Sequence, residues 1–145
     1  MIALASDHGG LALKTAIKTY LESQGLEVRD FGTNSPESCD YPDFGAPAAR
    51  AVADGTCQRG ILICTTGIGM SMVANKIPGV RCALCHDLMS ARLTRQHNDT
   101  NVLALGAGVV GELLALEIVK VWLNTDFEGG RHARRIGKVM DLDQR

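Results

Sequence analysis

The run Gly60-Ile61-Leu62-Ile63-Cys64 restricts the fold of this chain more than any other segment. It is the most continuous apolar stretch in the sequence, which predicts a strand buried on both faces, as in parallel sheets that helices cover on either side. Shorter apolar runs alternate along the chain with segments of helical periodicity. The apolar runs lie at 2–5, 26–31, 80–85 and 101–105. The segments of helical periodicity lie at 11–21, 46–53, 88–96 and 110–123, and one more helix is expected to end just before position 76. This alternation predicts a three-layer α/β/α sandwich around a five-stranded parallel, Rossmann-like sheet.

The length and uniformity of the chain indicate one domain over positions 1–145. The sequence contains no internal repeat, low-complexity segment or linker. The last part, about 128–145, is rich in charged residues, but its apolar residues recur at helical spacing. We therefore expect a helical tail after the last strand–helix unit.

Charge and cysteine content exclude several classes of protein. With 15 basic and 16 acidic side chains, the formal net charge is −1, which gives no electrostatic reason to expect binding to nucleic acid or to an anionic membrane. No apolar run approaches the roughly 18 residues of a membrane span, and the first residues lack the basic start of a secretory signal. Five cysteines, an odd number, argue against a disulfide framework. We expect reduced thiols and a cytoplasmic location.

Polar residues gather near the ends of the predicted strands. Asp7-His8 follows the first strand, Cys64 begins a glycine-containing loop after the third, and His97-Asn98 precedes the fifth. Ligands of parallel α/β sheets bind beyond the carboxyl ends of the strands. A cysteine there, just before a helix, meets N–H groups and a helix dipole that lower a thiol pKa and bind anions. The loop alone is equally compatible with an ordinary strand-end cysteine. A lone Asp-His pair in a loop is more often a turn with capping side chains than a catalytic pair.

The predicted tail carries a basic cluster. Arg131 and Arg135 lie four residues apart, on one face of a helix, where two guanidinium groups suit a phosphate. By spacing alone, a solvated basic face is the more common explanation of this pattern.

Three further patterns fail as cofactor or phosphatase sites. The segment 82–86 matches the attachment sequence of c-type haem, but strand alternation would point Cys82 and Cys85 to opposite faces. The spacing after Cys64 matches a cysteine phosphatase loop, yet Met70 stands where that loop has its arginine. The glycines of the loop lack the third member of a dinucleotide fingerprint. We expect no cofactor and no metal.

Several blocks of sequence together resemble one family over nearly the whole chain. They are Asp7-His8-Gly9-Gly10, Asp40-Tyr41-Pro42, 60–64, 66–71, Ala74-Asn75-Lys76, 95–101 and 128–132. Their order and spacing are similar to those of ribose-5-phosphate isomerase B, whose family also includes galactose-6-phosphate and allose-6-phosphate isomerases. The resemblance implies interconversion of ribose 5-phosphate and ribulose 5-phosphate, with allose 6-phosphate, galactose 6-phosphate or a related sugar as alternative substrates.

The resemblance also implies a metal-free and cofactor-free mechanism in a homodimer or tetramer, with active sites at the subunit interface and the tail packed on a partner. It makes Cys64 the base that moves a proton between C1 and C2, His97 the group that assists ring opening, and Thr66 a donor to the enediolate. His97, Asn98 and the tail arginines would come, at least in part, from a different subunit than Asp7 and Cys64. The implied substrate-binding residues, with the arginines holding phosphate, are Asp7, His8, Tyr41, Thr65, Gly67, Ile68, Gly69, Ser71, Asn98, Arg131 and Arg135.

Two positions depart from the family pattern. Thr65 stands where the family usually has glycine, and it would be strained if the backbone required a positive φ there. Gly108 stands where many members carry an arginine that contacts the phosphate. The preferred sugar phosphate therefore stays open.

Two rival functions lie outside this activity. A sugar-transport domain that carries phosphate on Cys64 would usually have its cysteine after the first strand, whereas here it follows the third. A catalytically silent subunit of a hetero-oligomer is disfavoured because Cys64, Thr66 and His97 are all present.

Overall fold

A computed structural model describes residues 1–144, and within them five strands form one parallel sheet. The strands are β1 (Ile2–Ser6), β2 (Val28–Asp30), β3 (Arg59–Cys64), β4 (Cys82–Leu84) and β5 (Val102–Gly106). Their order across the sheet is β2-β1-β3-β5-β4, with every neighbouring pair parallel. The three inner strands are almost entirely buried. The predicted five-stranded parallel sheet is confirmed.

Helices cover both faces of this sheet, as an α/β/α sandwich requires. In the described part of the chain they are α1 (Leu11–Ser23), α2 (Tyr41–Ala53), α3 (Ile68–Asn75), α4 (Leu88–Asn98), α5 (Glu112–Asn124) and α6 (Arg131–Met140). Helices α1, α4 and α5 share one hydrophobic core, and α2 and α3 share the other. None of the helices in residues 1–144 is long and apolar enough to cross a membrane.

The two faces of the sheet bury side chains of different size. Successive residues of a strand point to opposite faces, so Leu4 and Ile63 pack towards α1 and α5 together with the fully buried Trp122. The opposite face carries smaller side chains, such as Ala5 and Cys64, beneath α2 and α3. The Cys64 side chain therefore faces the layer that contains α3, the helix that begins just after it.

Several element boundaries differ from the sequence prediction, among them those of β2 and α2. β2 covers Val28–Asp30 rather than 26–31, and α2 begins at Tyr41 rather than near position 46. Asp40 is extended, and Pro42 lies in the first turn of α2, where proline's missing N–H has no intrahelical acceptor. The earlier start matters because it brings the Tyr41 ring towards the carboxyl end of β3.

A buried lysine anchors the loop between β2 and α2. The Lys14 ammonium group is almost fully buried and donates to Asp30 Oδ1 at 2.7 Å, to the Thr33 carbonyl at 2.6 Å and to Asn34 Oδ1 at 2.9 Å. Three acceptors satisfy its three donors, so burial leaves no N–H without a partner. The sequence pattern contained no signal for this network.

The tail is helical over Arg131–Met140 and continues as a short 3₁₀ turn, Asp141–Gln144. It packs on its own chain, since the Gly79 N–H donates to Asp143 Oδ2 at 2.8 Å. Arg145, the last residue of the predicted tail, lies outside the described residues. Packing of the tail on a partner subunit stays a prediction.

Candidate functional site

The first group of predicted site residues lies at the carboxyl end of β3, and we call Asp7, Cys64, Thr65, Thr66, Gly67 and Gly69 the Cys64 cluster. Cys64 is 5% exposed, and its Sγ accepts the Gly67 N–H at 3.2 Å. Gly67 has φ of 75°, and a Cβ there would lie 2.8 Å from the carbonyl carbon of Leu105. Only glycine fits this turn. The turn therefore holds a backbone N–H donor against the Cys64 sulfur.

Three other thiols lie in surroundings that disfavour a thiolate. Burial raises the pKa of Cys85 to about 11, and the charge of Asp87 adds to this rise. Burial also raises the pKa of Cys82 and of Cys57. Cys82 and Cys85 belong to opposite core layers, as strand alternation predicted, so they cannot converge on one metal or haem. Cys64 combines a backbone donor with a cavity, and is the strongest candidate nucleophile or base.

A cavity of about 380 Å³ opens at this end of the sheet. It is lined by Asp7, Tyr41, Cys64, Thr65, Thr66, Ile68, Gly69 and Met72. Asp7 is held in place because its Oδ1 accepts the Gly10 N–H at 3.1 Å. The Tyr41 ring lies over Gly69, where an added Cβ would come within 2.7 Å of Tyr41 Cζ. The structure thus brings six of the predicted site residues together around the thiol, with Gly67 directly behind it.

Two hydroxyl groups of the α3 start are already engaged with the backbone. Thr66 Oγ1 accepts the Ile68 N–H at 3.3 Å, so its own O–H is available to donate elsewhere. The Ser71 hydroxyl donates to the Ile68 carbonyl at 2.7 Å. Ser71 is not among the residues that line the cavity, and its role in binding substrate stays a prediction.

The two departures from the family pattern touch each other. Among the described non-glycine residues only Asp99 has a positive φ, so Thr65 does not carry the strain considered above. A Cβ added to Gly108 would lie 3.1 Å from Thr65 Cγ2 and 3.1 Å from the Thr65 carbonyl oxygen. Thr65 and Gly108 therefore act as a packing pair beside the thiol, in which a larger residue at 108 crowds the threonine.

His8 is exposed, and a contact with Cys39 determines how its ring presents a proton. The backbone N–H of Cys39 donates to His8 Nδ1 at 3.2 Å, and the Cys39 sulfur lies 3.8 Å from the same nitrogen. Since a backbone N–H can only donate, the neutral ring carries its proton on Nε2. That nitrogen is then a donor suited to a sugar hydroxyl or a phosphate oxygen. Cys39 had not been predicted from the sequence.

The second group of residues lies near the amino-terminal ends of the strands, opposite to the Cys64 cluster. We call His97, Asn98, Glu128, Arg131, His132 and Arg135 the His97 cluster. His97 and Asn98 end α4, which leads into the start of β5 at Val102. Val102 pairs with Gly60, whereas Cys64 pairs with Gly106. Four residues of strand separate these pairs by about 13 Å at the usual rise per residue. Within one chain, the His97 cluster and the Cys64 cluster do not form one site.

A second cavity, of about 730 Å³, adjoins the His97 cluster. It runs between β4, α4 and the tail, and His97 and Asn98 contribute to its wall. The Asn98 side chain is oriented by the Thr94 hydroxyl, which donates to its Oδ1 at 3.2 Å. Arg131 and Arg135 lie exposed one turn apart on α6, so the predicted helical spacing of the two arginines is confirmed.

The ring of His97 is stacked on the ring of His132. Their centroids are 4.4 Å apart and their planes differ by 11°. His132 Nε2 lies 3.6 Å from Glu128 Oε2, and donor atoms of all three side chains lie within 4.8 Å of one another. The lone pairs of an imidazole lie in the plane of its ring, so two parallel rings aim past each other rather than at a common ion. The arrangement fits mutual support better than the tetrahedral ligation of a metal such as zinc.

Comparisons with known proteins agree with this geometry. A family model described as ribose/galactose isomerase matches residues 2–139. Ribose-5-phosphate isomerase B of Escherichia coli is 49% identical over 99% of this chain and 97% of its own length. D-erythrulose-4-phosphate isomerase of Pectobacterium atrosepticum is 46% identical over 95% of this chain and 91% of its own length. The structure of Clostridium thermocellum ribose-5-phosphate isomerase B superimposes with a TM-score of 0.97, at 54% identity, over 99% of this chain and 97% of that one.

The chain belongs to the ribose/galactose isomerase family. Membership of this family confirms the resemblance seen in the sequence blocks, and the matching fold agrees with the predicted sandwich. The match to sugar-phosphate isomerases over nearly the whole chain favours an isomerase over a sugar-transport domain that carries phosphate on Cys64.

The sequence analysis assigned no role to three residues of the candidate site. Glu128 and His132 lie inside a block that carried the family resemblance, but their proximity to His97, which lies on the distant helix α4, leaves no signal in the sequence. Gly9 was likewise overlooked, although a Cβ there would lie 2.5 Å from Thr65 Oγ1. A glycine next to an Asp-His pair was the only local signal of this close approach.

Proposed function

We propose that this isomerase interconverts ribose 5-phosphate and ribulose 5-phosphate, with Cys64 as the base. The observation that carries the proposal is the thiol of Cys64 at the head of the 380 Å³ cavity, with the Gly67 N–H on its sulfur and Asp7 and Thr66 beside it. Proton abstraction next to a carbonyl requires a base that is ionised near neutral pH and donors for the oxyanion that forms. The Cys64 cluster offers the thiol as the base, and backbone N–H groups and the Thr66 hydroxyl as the donors.

The reaction follows from this set of groups. With the sugar in its open-chain form, the Cys64 thiolate removes the proton from C2, the electrons form a C1–C2 double bond, and the charge moves to O1. Backbone N–H groups at the start of α3 and the Thr66 hydroxyl hold this oxyanion. The thiol then returns a proton to C1 while the proton on O2 passes to O1, which leaves a carbonyl at C2. No electrons enter or leave the substrate.

We further propose that the site is completed across a homodimer, alone or as half of a tetramer. The His97 cluster holds the residues that the family resemblance assigns to ring opening and phosphate binding, yet it lies at the opposite end of the strands from Cys64. A second copy can supply it. Exposed apolar side chains adjoin both cavities, with Met72 63% exposed beside Cys64 and Val139 54% exposed beside His97. Burial of such side chains favours association.

We propose a cytoplasmic location for this enzyme. All five cysteines are unpaired, and Cys64, the proposed base, lines the cavity at the carboxyl end of β3. Free thiols persist in a reducing compartment. A base of this kind would be lost on oxidation, so the location and the mechanism support each other.

A second candidate substrate class follows from Gly108. Without a side chain at this position, the site lacks the arginine that many members place next to the phosphate, and Thr65 fills part of the space. The similarity to a tetrose-phosphate isomerase indicates that the family accommodates sugars of different length. Allose 6-phosphate, galactose 6-phosphate and four-carbon sugar phosphates are therefore the alternatives to ribose 5-phosphate.

The test is aldose–ketose interconversion by the purified chain, in EDTA, across these sugar phosphates. We expect the highest kcat/KM with ribose 5-phosphate and a loss of activity on the order of a thousandfold or more in Cys64→Ala, because the base is removed. Cys57→Ala is the matched control, since it also removes a buried thiol but lies away from both cavities. Full activity of Cys64→Ala would contradict the assignment of the base, and preference for another sugar would contradict the assignment of the substrate.

A further inference from the structure

His132 has no role in the proposed reaction, yet its side chain lies in an unusual environment. Its side chain is only 6% exposed, and in the described residues its Nε2 has no hydrogen-bond partner. Glu128 Oε2 lies 3.6 Å from this nitrogen, which is beyond hydrogen-bond distance. A buried polar nitrogen without a partner is unfavourable for stability. Its main contact is instead the face of the His97 ring.

The backbone holds the two rings together. The Glu128 N–H donates to the Gln96 carbonyl at 3.1 Å, one residue before His97. Gly129 and Gly130 follow with φ of 71° and 60°, and this left-handed pair turns the chain into α6. His132 then lies in the first turn of α6. The hydrogen bond between Glu128 and Gln96 therefore holds the loop before α6 against the end of α4, with His132 over the His97 ring.

The electrostatics of the pair suit a stack that survives when His97 is protonated. Burial lowers the pKa of His132, and the charges of Arg131, His97 and Arg135 act in the same direction, opposed only by Glu128. At neutral pH His132 is therefore uncharged. A neutral ring can face a protonated neighbour without charge repulsion, so the stack does not oppose the proton transfers of ring opening.

From this geometry we infer that His132 is a positioning residue for His97. It fixes the plane of the His97 imidazole against α4 so that the ring nitrogen addresses the ring oxygen of the cyclic sugar phosphate, while Glu128 limits the rotation of His132. The inference rests on the proposed function. It assigns His132 to the ring-opening step alone, and proton transfer at C1 and C2 stays with Cys64.

The test separates these two steps with the ketose. Ribulose 5-phosphate cannot form a ring, because the hydroxyl that would close it carries the phosphate. In D₂O, the enzyme should exchange one C1 proton of this ketose by enolisation, which proton NMR measures. A parallel sample that starts from ribose 5-phosphate, whose ring must open first, measures net conversion. We expect His132→Ala to lower net conversion by on the order of tenfold to a hundredfold, with C1 exchange within about twofold of the parent.

Two variants and one control complete the design. His132→Phe keeps an aromatic face for the stack and should recover most of the conversion. Arg134→Ala, an exposed cation of the same helix, should behave as the parent. Equal loss of exchange and conversion in His132→Ala would show a structural role and overturn the inference, and so would unchanged conversion. A parent protein with neither exchange nor conversion would instead contradict the proposed function.

Discussion

The Cys64 cluster and the His97 cluster hold their functional groups by different means. Around Cys64, a glycine turn with no room for a side chain fixes a backbone N–H on the sulfur. Around His97, side chains from two helices are aligned by ring stacking and a single backbone hydrogen bond. In the proposed reaction, the turn around Cys64 places N–H donors where the enediolate charge develops, and it leaves no room for a side chain at Gly67. The arrangement around His97 depends on packing, so we expect graded rather than complete losses when it is altered.

Among the changes that test how each cluster is held together, Gly67→Ala should have the largest effect. The methyl group would strain a residue with φ of 75° and would contact Leu84 Cδ1 and the β5 backbone. We expect the turn to shift, the N–H to leave the sulfur and kcat to fall about 10²- to 10³-fold, as when an oxyanion-hole donor is removed. Steady-state kinetics with ribose 5-phosphate measures the loss.

Gly55→Ala is the matched control for this variant. Gly55 has φ of 82°, but nothing lies within 4 Å of an added Cβ. It should lose about 1 kcal/mol of stability from the left-handed backbone and keep parental activity. Similar kinetics for Gly67→Ala and Gly55→Ala would remove the special role of the Gly67 turn.

The same contrast explains what the sequence could predict. The strands and the Cys64 loop come from local patterns, namely a continuous apolar run and a glycine-containing turn, and both are found where they were expected. The stack of His97 on His132 joins residues far apart in the chain, and no spacing rule reports it. Lys14 is similar, because a lysine on a helix predicts exposure until its three acceptors are seen.

A smaller effect is expected from Gly108→Arg, which restores the common family residue. Its Cβ would crowd Thr65 at 3.1 Å, so the single variant should lose about 1–2 kcal/mol of stability. Thr65→Gly should relieve part of this crowding, and the double variant should bind ribose 5-phosphate with a lower KM than Gly108→Arg alone.

A double-mutant cycle on these two positions measures their coupling. Thermal unfolding and KM are recorded for the parent, both single variants and the double variant. We expect an interaction energy of about 0.5–1.5 kcal/mol, typical of residues in contact. Additive effects in both measurements would mean that Thr65 and Gly108 vary independently.

At neutral pH the smallest effect is expected from Cys85, the thiol that follows β4, because its contribution to stability changes only in alkaline solution. Burial raises its pKa to about 11, above the value near 8.5 of an unfolded cysteine. Folding therefore favours the protonated thiol, and this contribution is complete below the unfolded pKa and is lost as pH rises towards 11. Urea unfolding at pH 8, 9.5 and 11 should show a smaller alkaline loss of stability in Cys85→Ala than in the parent. An identical decline would contradict the burial effect.

The central claim is that Cys64 of one subunit and His97 of another form one active site. Cys64→Ala and His97→Asn chains, carrying different affinity tags, are co-expressed and the heterodimer is purified through both tags. In a two-fold symmetric dimer, one of its two sites then has both residues intact, so we predict about half of the parental turnover with ribose 5-phosphate, while each variant homodimer is strongly impaired. A heterodimer no more active than the two homodimers would contradict the shared site.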